Sequence, residues 1–566
     1  MFHTGRAFDS LVLRGTFLVL ACLQFNISWF SEAAALDWPE GETSTGLLNL
    51  YRKAAVDDPD GYVKQLEKVG SISLLEAVKT SLKKSLALDI QEETVNIAKG
   101  QYQSQGGAFD YTVSLSGGYG FNSAKLDSVS QAAIPFTALD SNQATTSLAV
   151  SKQLRTGPQF SLSSQLIQTD YTDQLMARYA GTADPKTTAI VKLEVKIPLL
   201  NGVGRFAASA ETASRLNYEA GQYEYIQSIF QNTLNIVEEY WEYKAAYAVY
   251  DVNLSMESMI RKLLERETGR MDVASQAGPD SDQKIRLSTL NAKLADASRD
   301  TSLARQNITT ARQAFALDLG VDVTDFGTLP VPADDFNLDE ISLKMAETAY
   351  LNYLTELAMN NRPDLKSLNL KVKSSEVLVE KAKNNLQPRL DFVGSAGYLG
   401  LSEDSGLDGY LSSATDTEKG ELWAVGISCS YPIGNQTAKG AFFAEDSSRK
   451  INVIQRNELL RQISSQLTVD LASLEHQISN LKQVNISVQK YWQAMIESAT
   501  LQIENNSDLV NLLDLQEKLR EAELDRSAAS KDLAKAIASA RFHSGTLVGQ
   551  EGDKTIFNLE RLTTLP

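Results

Sequence analysis

Residues 281–318 read SDQKIRLSTLNAKLADASRDTSLARQNITTARQAFALD, and the spacing of their apolar members decides the fold class. Leu287, Leu290, Leu294, Ala297, Thr301, Ala304, Ile308, Ala311 and Phe315 alternate steps of three and four, the seam of a coiled coil. Leu512, Leu515, Leu519, Ala522, Arg526, Ala529, Leu533 and Ala536 keep the same steps. The alanines, with Thr301 and Arg526 as interruptions, imply close and partly polar packing against more than one neighbour. Each tract follows a longer one almost free of Gly and Pro, 205–270 and 438–504. At about 1.5 Å per residue the first would reach roughly 100 Å. Helices of compact domains average about 12 residues, so this one does not wrap a globular core. The pattern predicts two long antiparallel hairpins, each with its tip at a polar break.

Outward from these tracts the chain reads as two halves built alike. A helical stretch over about 74–105 leads into Tyr111-Thr112-Val113-Ser114-Leu115, and one over about 351–386 leads into Arg389-Leu390-Asp391-Phe392. A shift of 277 positions pairs Leu88 with Leu365, Val113 with Leu390, Leu115 with Phe392 and Gly117 with Gly394. Each half then closes a strand on an apolar-Pro pair, Ile197-Pro198 and Tyr431-Pro432, before its long helix. The expected organisation is a first repeat over 71–319 (strands 111–197, hairpin 205–318) and a second over 341–547 (strands 390–431, hairpin 438–543). A linker rich in Pro, Asp and Gly joins them over 320–340, and a tail follows over 548–566.

The strands alternate. Trp423, Val425, Ile427, Cys429 and Tyr431 share one face, against Ala424, Gly426, Ser428 and Ser430. Val191, Leu193, Val195 and Ile197 alternate with Lys192, Glu194 and Lys196, and Tyr111, Val113, Leu115 and Tyr119 with Thr112, Ser114 and Ser116. Such a period suits a barrel with lipid outside and water inside, and equally a half-buried sheet. Leu148/Val150 and Phe160/Leu162, around Thr156-Gly157-Pro158, read as two additional strands or as an elaborated external loop.

Arg6 and Arg14, the apolar run Thr16–Phe25 and Ala33-Ala34-Ala35 give 1–35 the order of a secretory signal peptide, followed by an N-terminal segment over 36–70. A membrane anchor is the bland alternative, and Val19-Leu20-Ala21-Cys22 offers a lipidation box. The chain has 566 residues, of which 54 basic and 71 acidic leave a net charge of −17, which excludes a general nucleic-acid binder. Two cysteines exclude a disulfide framework or thiolate cluster, and three scattered histidines (His3, His476 and His543) argue against a metal centre. No Walker loop or nucleophile elbow is visible, so no enzyme activity and no cofactor are expected. The pair Glu238/Glu239 reads as a solvated helix face.

Asn360-Asn361-Arg362-Pro363-Asp364-Leu365, Gly107-Ala108-Phe109-Asp110, and the corners Ile197-Pro198-Leu199-Leu200-Asn201-Gly202 and Tyr431-Pro432-Ile433-Gly434-Asn435 are four segments set in a fixed order. Together they resemble the TolC-like outer membrane efflux protein family. The resemblance spans about residues 70–547. It implies an α+β membrane protein: a homotrimer sharing a β-barrel embedded in outer-membrane lipid of a Gram-negative-type bacterium. A long α-helical coiled-coil barrel would continue it across the periplasm to a periplasmic adaptor and an inner-membrane transporter. The implied function is a passive exit duct.

The resemblance also marks the tips. Gly278-Pro279-Asp280-Ser281 matches the family's Gly-x-x-Ser turn for adaptor contact, through Gly278 and Ser281; the second tip places Asn505 at the glycine. Asn is the next best residue for that backbone. Beyond it, Asp514 matches one acidic position of the aperture ring, Asn511 occupies another, and Glu504 and Asp508 lie nearby. Three copies of each would favour cations at the entrance; solvated turn acids are the plain alternative. The Tyr and Arg that lock the family's aperture fall at Gln502 and Ser507, so that lock is missing. A soluble periplasmic coiled-coil scaffold or adaptor with a β-rich head is the rival function.

Overall fold

The computed structural model describes residues 70–133, 136–179, 186–274, 281–321, 329–334, 347–402, 412, 419–505, 509–551, 554–556 and 562–566. The expected signal peptide, Cys22 and the N-terminal segment as far as residue 69 lie outside them. In chain order come α1 (Leu74–Lys84), α2 (Leu86–Gly106), β1 (Tyr111–Lys125), β2 (Ala138–Gln153), β3 (Gln159–Tyr171), β4 (Lys186–Pro198), α3 (Ser209–Ala274) and α4 (Ser281–Leu319). Then follow α5 (Glu347–Asn361), α6 (Pro363–Asn384), β5 (Arg389–Ser402), β6 (Lys419–Ser430), α7 (Gln436–Asn505) and α8 (Leu509–His543). Both halves thus run helix, strands, long helix, helix, with four strands in the first and two in the second.

Two units divide the chain, and each draws on both halves of the sequence. The first contains Lys99–Asn217 and Val372–Ile451. Its centre is one sheet of six strands in the order β1-β2-β3-β4-β5-β6, every pair antiparallel. The segments around Leu148 and Phe160 are the strands β2 and β3 of this sheet, joined by a turn over 154–158.

The turn is held from below. Gly204 donates its N–H to the Thr156 carbonyl at 2.9 Å, and Arg155 grips Glu211 through two bonds of 2.8 and 2.7 Å. Gly157 sits at φ 109° with the Gly202 carbonyl so near that a Cβ would fall 2.7 Å from it. Only glycine fits there. Asn384 fixes the neighbouring corner: its amide donates to the Leu200 carbonyl at 3.2 Å and accepts from the Gly202 N–H at 2.8 Å.

The second unit contains Tyr218–Lys371, Asn452–Pro566 and the described residues up to Ala98. Near one end of α3 and α4, Phe315 stacks on Tyr243 with ring centroids 5.6 Å apart. Further along, Met256 and Ile260 pack with Leu290 and Ala297, so the two helices run antiparallel. Leu474 and Leu481 pack against Leu533 and Ala540, and Val488 and Met495 against Leu512 and Leu519, which makes α7 and α8 antiparallel too. The expected seam of α4 is the buried one: Leu290, Ala297, Thr301, Ala304, Ile308, Ala311 and Phe315.

Three expectations need correction. The helix read over 74–105 breaks at Ser85, whose backbone turns extended (ψ 112°). There Ser85 donates to Asn232, Asn232 to Ser81, and Ser81 to the Asp318 carbonyl, while Gly320, at φ 69°, lies against the Lys84 backbone where a Cβ would collide. The helix read over 351–386 breaks at Arg362, because Pro363 lacks an N–H and disfavours helical backbone in the residue before it. Arg526 does not enter the second seam; it is exposed and pairs with Glu523 at 2.5 Å.

Candidate functional site

The sheet has two chemically different faces, and the register decides which residues share them. Val113, Val150, Leu162, Leu193, Ala396 and Trp423 lie in one row across all six strands. The next row on that face holds Tyr111, Lys152, Phe160, Val195, Gly394 and Val425. Most of this face is bare: Trp423 is 76% exposed, Ile427 70%, Val425 65% and Tyr111 61%. The opposite face carries the row Thr112, Ser151, Ser161, Glu194, Ser395 and Ala424. Its polar groups satisfy one another: Ser116 and Ser147 share a hydrogen bond of 2.6 Å, and Lys192 pairs with Glu194 at 2.8 Å. Burying large apolar side chains is favourable by about 25 cal/mol per Å², so an open apolar face of this extent requires an apolar neighbour.

Pro198 is the last residue of β4, in register with Asp391, and Pro432 follows β6 two residues beyond its end. After Pro432, Asn435 takes a left-handed backbone (φ 47°) and donates to the Leu386 carbonyl at 3.2 Å.

At the tips, Ser281 is the first residue of α4 and is exposed. Asn511 and Asp514 lie three residues apart at the start of α8, both exposed, and Asp514 pairs with Lys518 at 2.7 Å. Glu504 and Asn505 end α7 as backbone, while Gly278 and Asp508 lie outside the described residues. The aperture and adaptor-contact roles of these residues therefore stand as proposals.

Sequence reasoning missed the polar ties between the hairpins. Arg520 of α8 donates from Nη1 to the Asn253 amide oxygen of α3 at 3.2 Å and lies 3.7 Å from Asp300 of α4. Lys531 and Lys535 of α8 both donate to Glu242 of α3, at 3.3 and 2.6 Å. Burial opposes the charge on Glu242, but the bonds to Lys535 and Lys531 hold its carboxyl below the ordinary value. Leu513 joins the core of α3 and α4 beside them. Glu238 and Glu239 are not a solvated face: both are half-buried, and burial pushes both carboxyls up. The partners in these ties stand from 220 to 293 positions apart, beyond any local motif.

Among the described residues no helix is long and apolar enough to cross a membrane, and no group of His, Cys, Asp and Glu could hold a metal ion. No family model matches the sequence, and no curated protein does. Solved structures do match. The outer-membrane channel OprN superposes with a TM-score of 0.58 at 14% identity, covering 88% of this chain and 92% of its own. The Campylobacter jejuni CmeC outer membrane channel gives 0.58 at 15% identity, covering 84% and 85%. The outer membrane protein VceC from Vibrio cholerae gives 0.57 at 14%, covering 83% and 96%. The fold is that of the TolC-like outer-membrane channels.

Proposed function

We propose that this chain is a passive outer-membrane exit duct of a tripartite efflux or secretion system. The observation that carries the reading is the row of apolar side chains aligned across all six strands and mostly left exposed, with a polar face behind it. Lipid on the first face and water on the second satisfy both.

A sheet in lipid tolerates no open edge, because unpaired N–H and C=O groups cost several kcal/mol each there. In one copy β1 and β6 are the edges, and they run in opposite directions. The β6 strand of one copy can therefore pair with β1 of the next in the antiparallel sense used throughout the sheet. A homotrimer of six-stranded sheets closes as a barrel of eighteen strands, an even number as barrels of this kind require. The hairpins carry the path through the periplasm, their tips meeting a periplasmic adaptor and an inner-membrane transporter that supplies the energy. Glu504, Asp508, Asn511 and Asp514 would line the aperture, and Gly278, Ser281 and Asn505 the adaptor contact. An adaptor favours the open arrangement by binding it better than the closed one.

Membrane partitioning tests the reading against its rival. The intact chain is expected in the outer-membrane fraction, resistant to salt and alkaline wash and released by detergent. Recovery in the soluble periplasm would instead make it a coiled-coil scaffold with a β-rich head.

A further inference from the structure

The charges on the polar face are not spread evenly. They sit on the two neighbouring strands β4 and β5 as Lys186, Lys192, Lys196, Glu194, Arg389 and Asp391, a basic excess in a chain whose net charge is −17. Beneath the lower group lies a polar cavity of about 230 Å³, bordered by Gln153, Gln159, Asn201, Lys196, Arg389 and Asp391. The Asp391 side chain is almost fully buried, and one of its oxygens, Oδ2, takes both cations: Arg389 Nε at 2.9 Å and Lys196 Nζ at 3.2 Å. The side chains of Arg389 and Lys196 stay 60% and 35% exposed. Two cations thus stand over one sunken carboxylate. It neutralises one of them and positions both, leaving one positive charge displayed at the cavity. The Arg389 bond to Asp391 is made through Nε, which leaves the donors of its two terminal amino groups to be used by a ligand. A guanidinium fork of this kind matches a planar oxyanion, and the side-chain amides of Gln153, Gln159 and Asn201 supply further donors.

We infer that this cavity is a subsite for the carboxylate group of small anionic solutes, with Arg389 and Lys196 as its binding residues and Asp391 as their positioning residue. As a statement about what the duct carries, this rests on the reading above; the preference for anions over cations at the cavity does not.

The test uses the full chain in detergent, with Cys22 and Cys429 replaced by Ser and a single reporter thiol introduced as Gln159→Cys, or as Gln153→Cys should the first fail to fold. Its rates of modification by a sulfonate-bearing and a trimethylammonium-bearing methanethiosulfonate are compared. With each rate divided by that of the same reagent for a free thiol in solution, the ratio is expected to favour the anionic reagent about fivefold, as charges a few ångströms away in a partly aqueous site dictate. Adding Lys196→Gln and Arg389→Gln should bring the ratio to unity or below, and millimolar benzoate should protect the thiol only while both cations are present. A ratio favouring the cationic reagent, or one unmoved by the double substitution, overturns the subsite. Both results are read without ion conduction, so a failure of the duct would show separately as absent conductance.

Discussion

The Arg520 guanidinium of α8 reaches the Asn253 amide oxygen of α3 at 3.2 Å, with Asp300 of α4 at 3.7 Å. One side chain thereby ties the second hairpin to both helices of the first. Arg520→Ala removes the bond to Asn253 and the approach to Asp300, which keeps Arg299 at 2.9 Å, and should cost about 1–2 kcal/mol, seen as a lower melting temperature by circular dichroism in detergent. On the duct reading the freed hairpin also raises single-channel conductance. Arg520→Lys, which lacks the fork, should restore only part of each. Unchanged melting and conductance in Arg520→Ala would remove this tie from the account.

Acid groups near that interface give the stability a defined pH dependence. Burial raises Glu238 and Glu239 above their ordinary 4.5 and Asp318 above 3.8. Their protonated forms favour the folded state. That contribution is complete below the ordinary values and is lost as pH rises through the raised ones. Glu242, held low against burial by Lys535 and Lys531, acts in the opposite sense: its contribution is present above 4.5 and lost as pH falls through the lowered value. Glu238→Gln should therefore raise the melting temperature at pH 7 and flatten its decline from acid to neutral pH, whereas Glu242→Gln should lower it at pH 7. Parallel pH profiles for wild type and Glu238→Gln would contradict this.

Two glycines at the sheet corner separate backbone conformation from crowding. Gly157 (φ 109°) has the Gly202 carbonyl and Pro198 Cγ in the way of any Cβ, at 2.7 and 2.9 Å, while Gly202 (φ 82°) has open space. Gly202→Ala should cost about 1 kcal/mol for the left-handed backbone alone. Gly157→Ala should cost clearly more, since the turn must also lift from the corner. Thermal melts of the two variants check the order.

The two faces of β6 should respond differently to charge. Val425→Arg places a cation on the apolar face, at about 2–4 kcal/mol if that face lies mid-membrane. Ala424→Arg places it one residue away on the polar face. Recovery in the outer membrane should fall for the first and hold for the second; equal recovery would assign both faces to water.

How much of this was written locally follows from the physics. The α4 seam was legible because its period is set by one helix alone, and Leu290, Ala304 and Phe315 are buried as their spacing requires. The hairpin β2–β3 was only half legible: the alternation around Leu148 and Phe160 allowed two strands or an external loop, and the choice rests on their register with β1 and β4. The break at Pro363 carries its own signal, which the apolar period running through it masks. Arg526 keeps the seam's spacing yet faces outward, since position in a heptad does not force a long charged side chain inside. Arg520 with Asn253, and Asp391 beneath Arg389 and Lys196, were out of reach: the first pair joins distant segments, and the second depends on which atoms the register brings together.

Conductance measures the central claim most directly. Purified full-length chain added to planar lipid bilayers should insert and produce discrete, long-lived conductance steps of uniform size, with Val425→Arg inserting far less often. Chain that binds the bilayer without producing steps, or that stays in the aqueous phase, would contradict the duct.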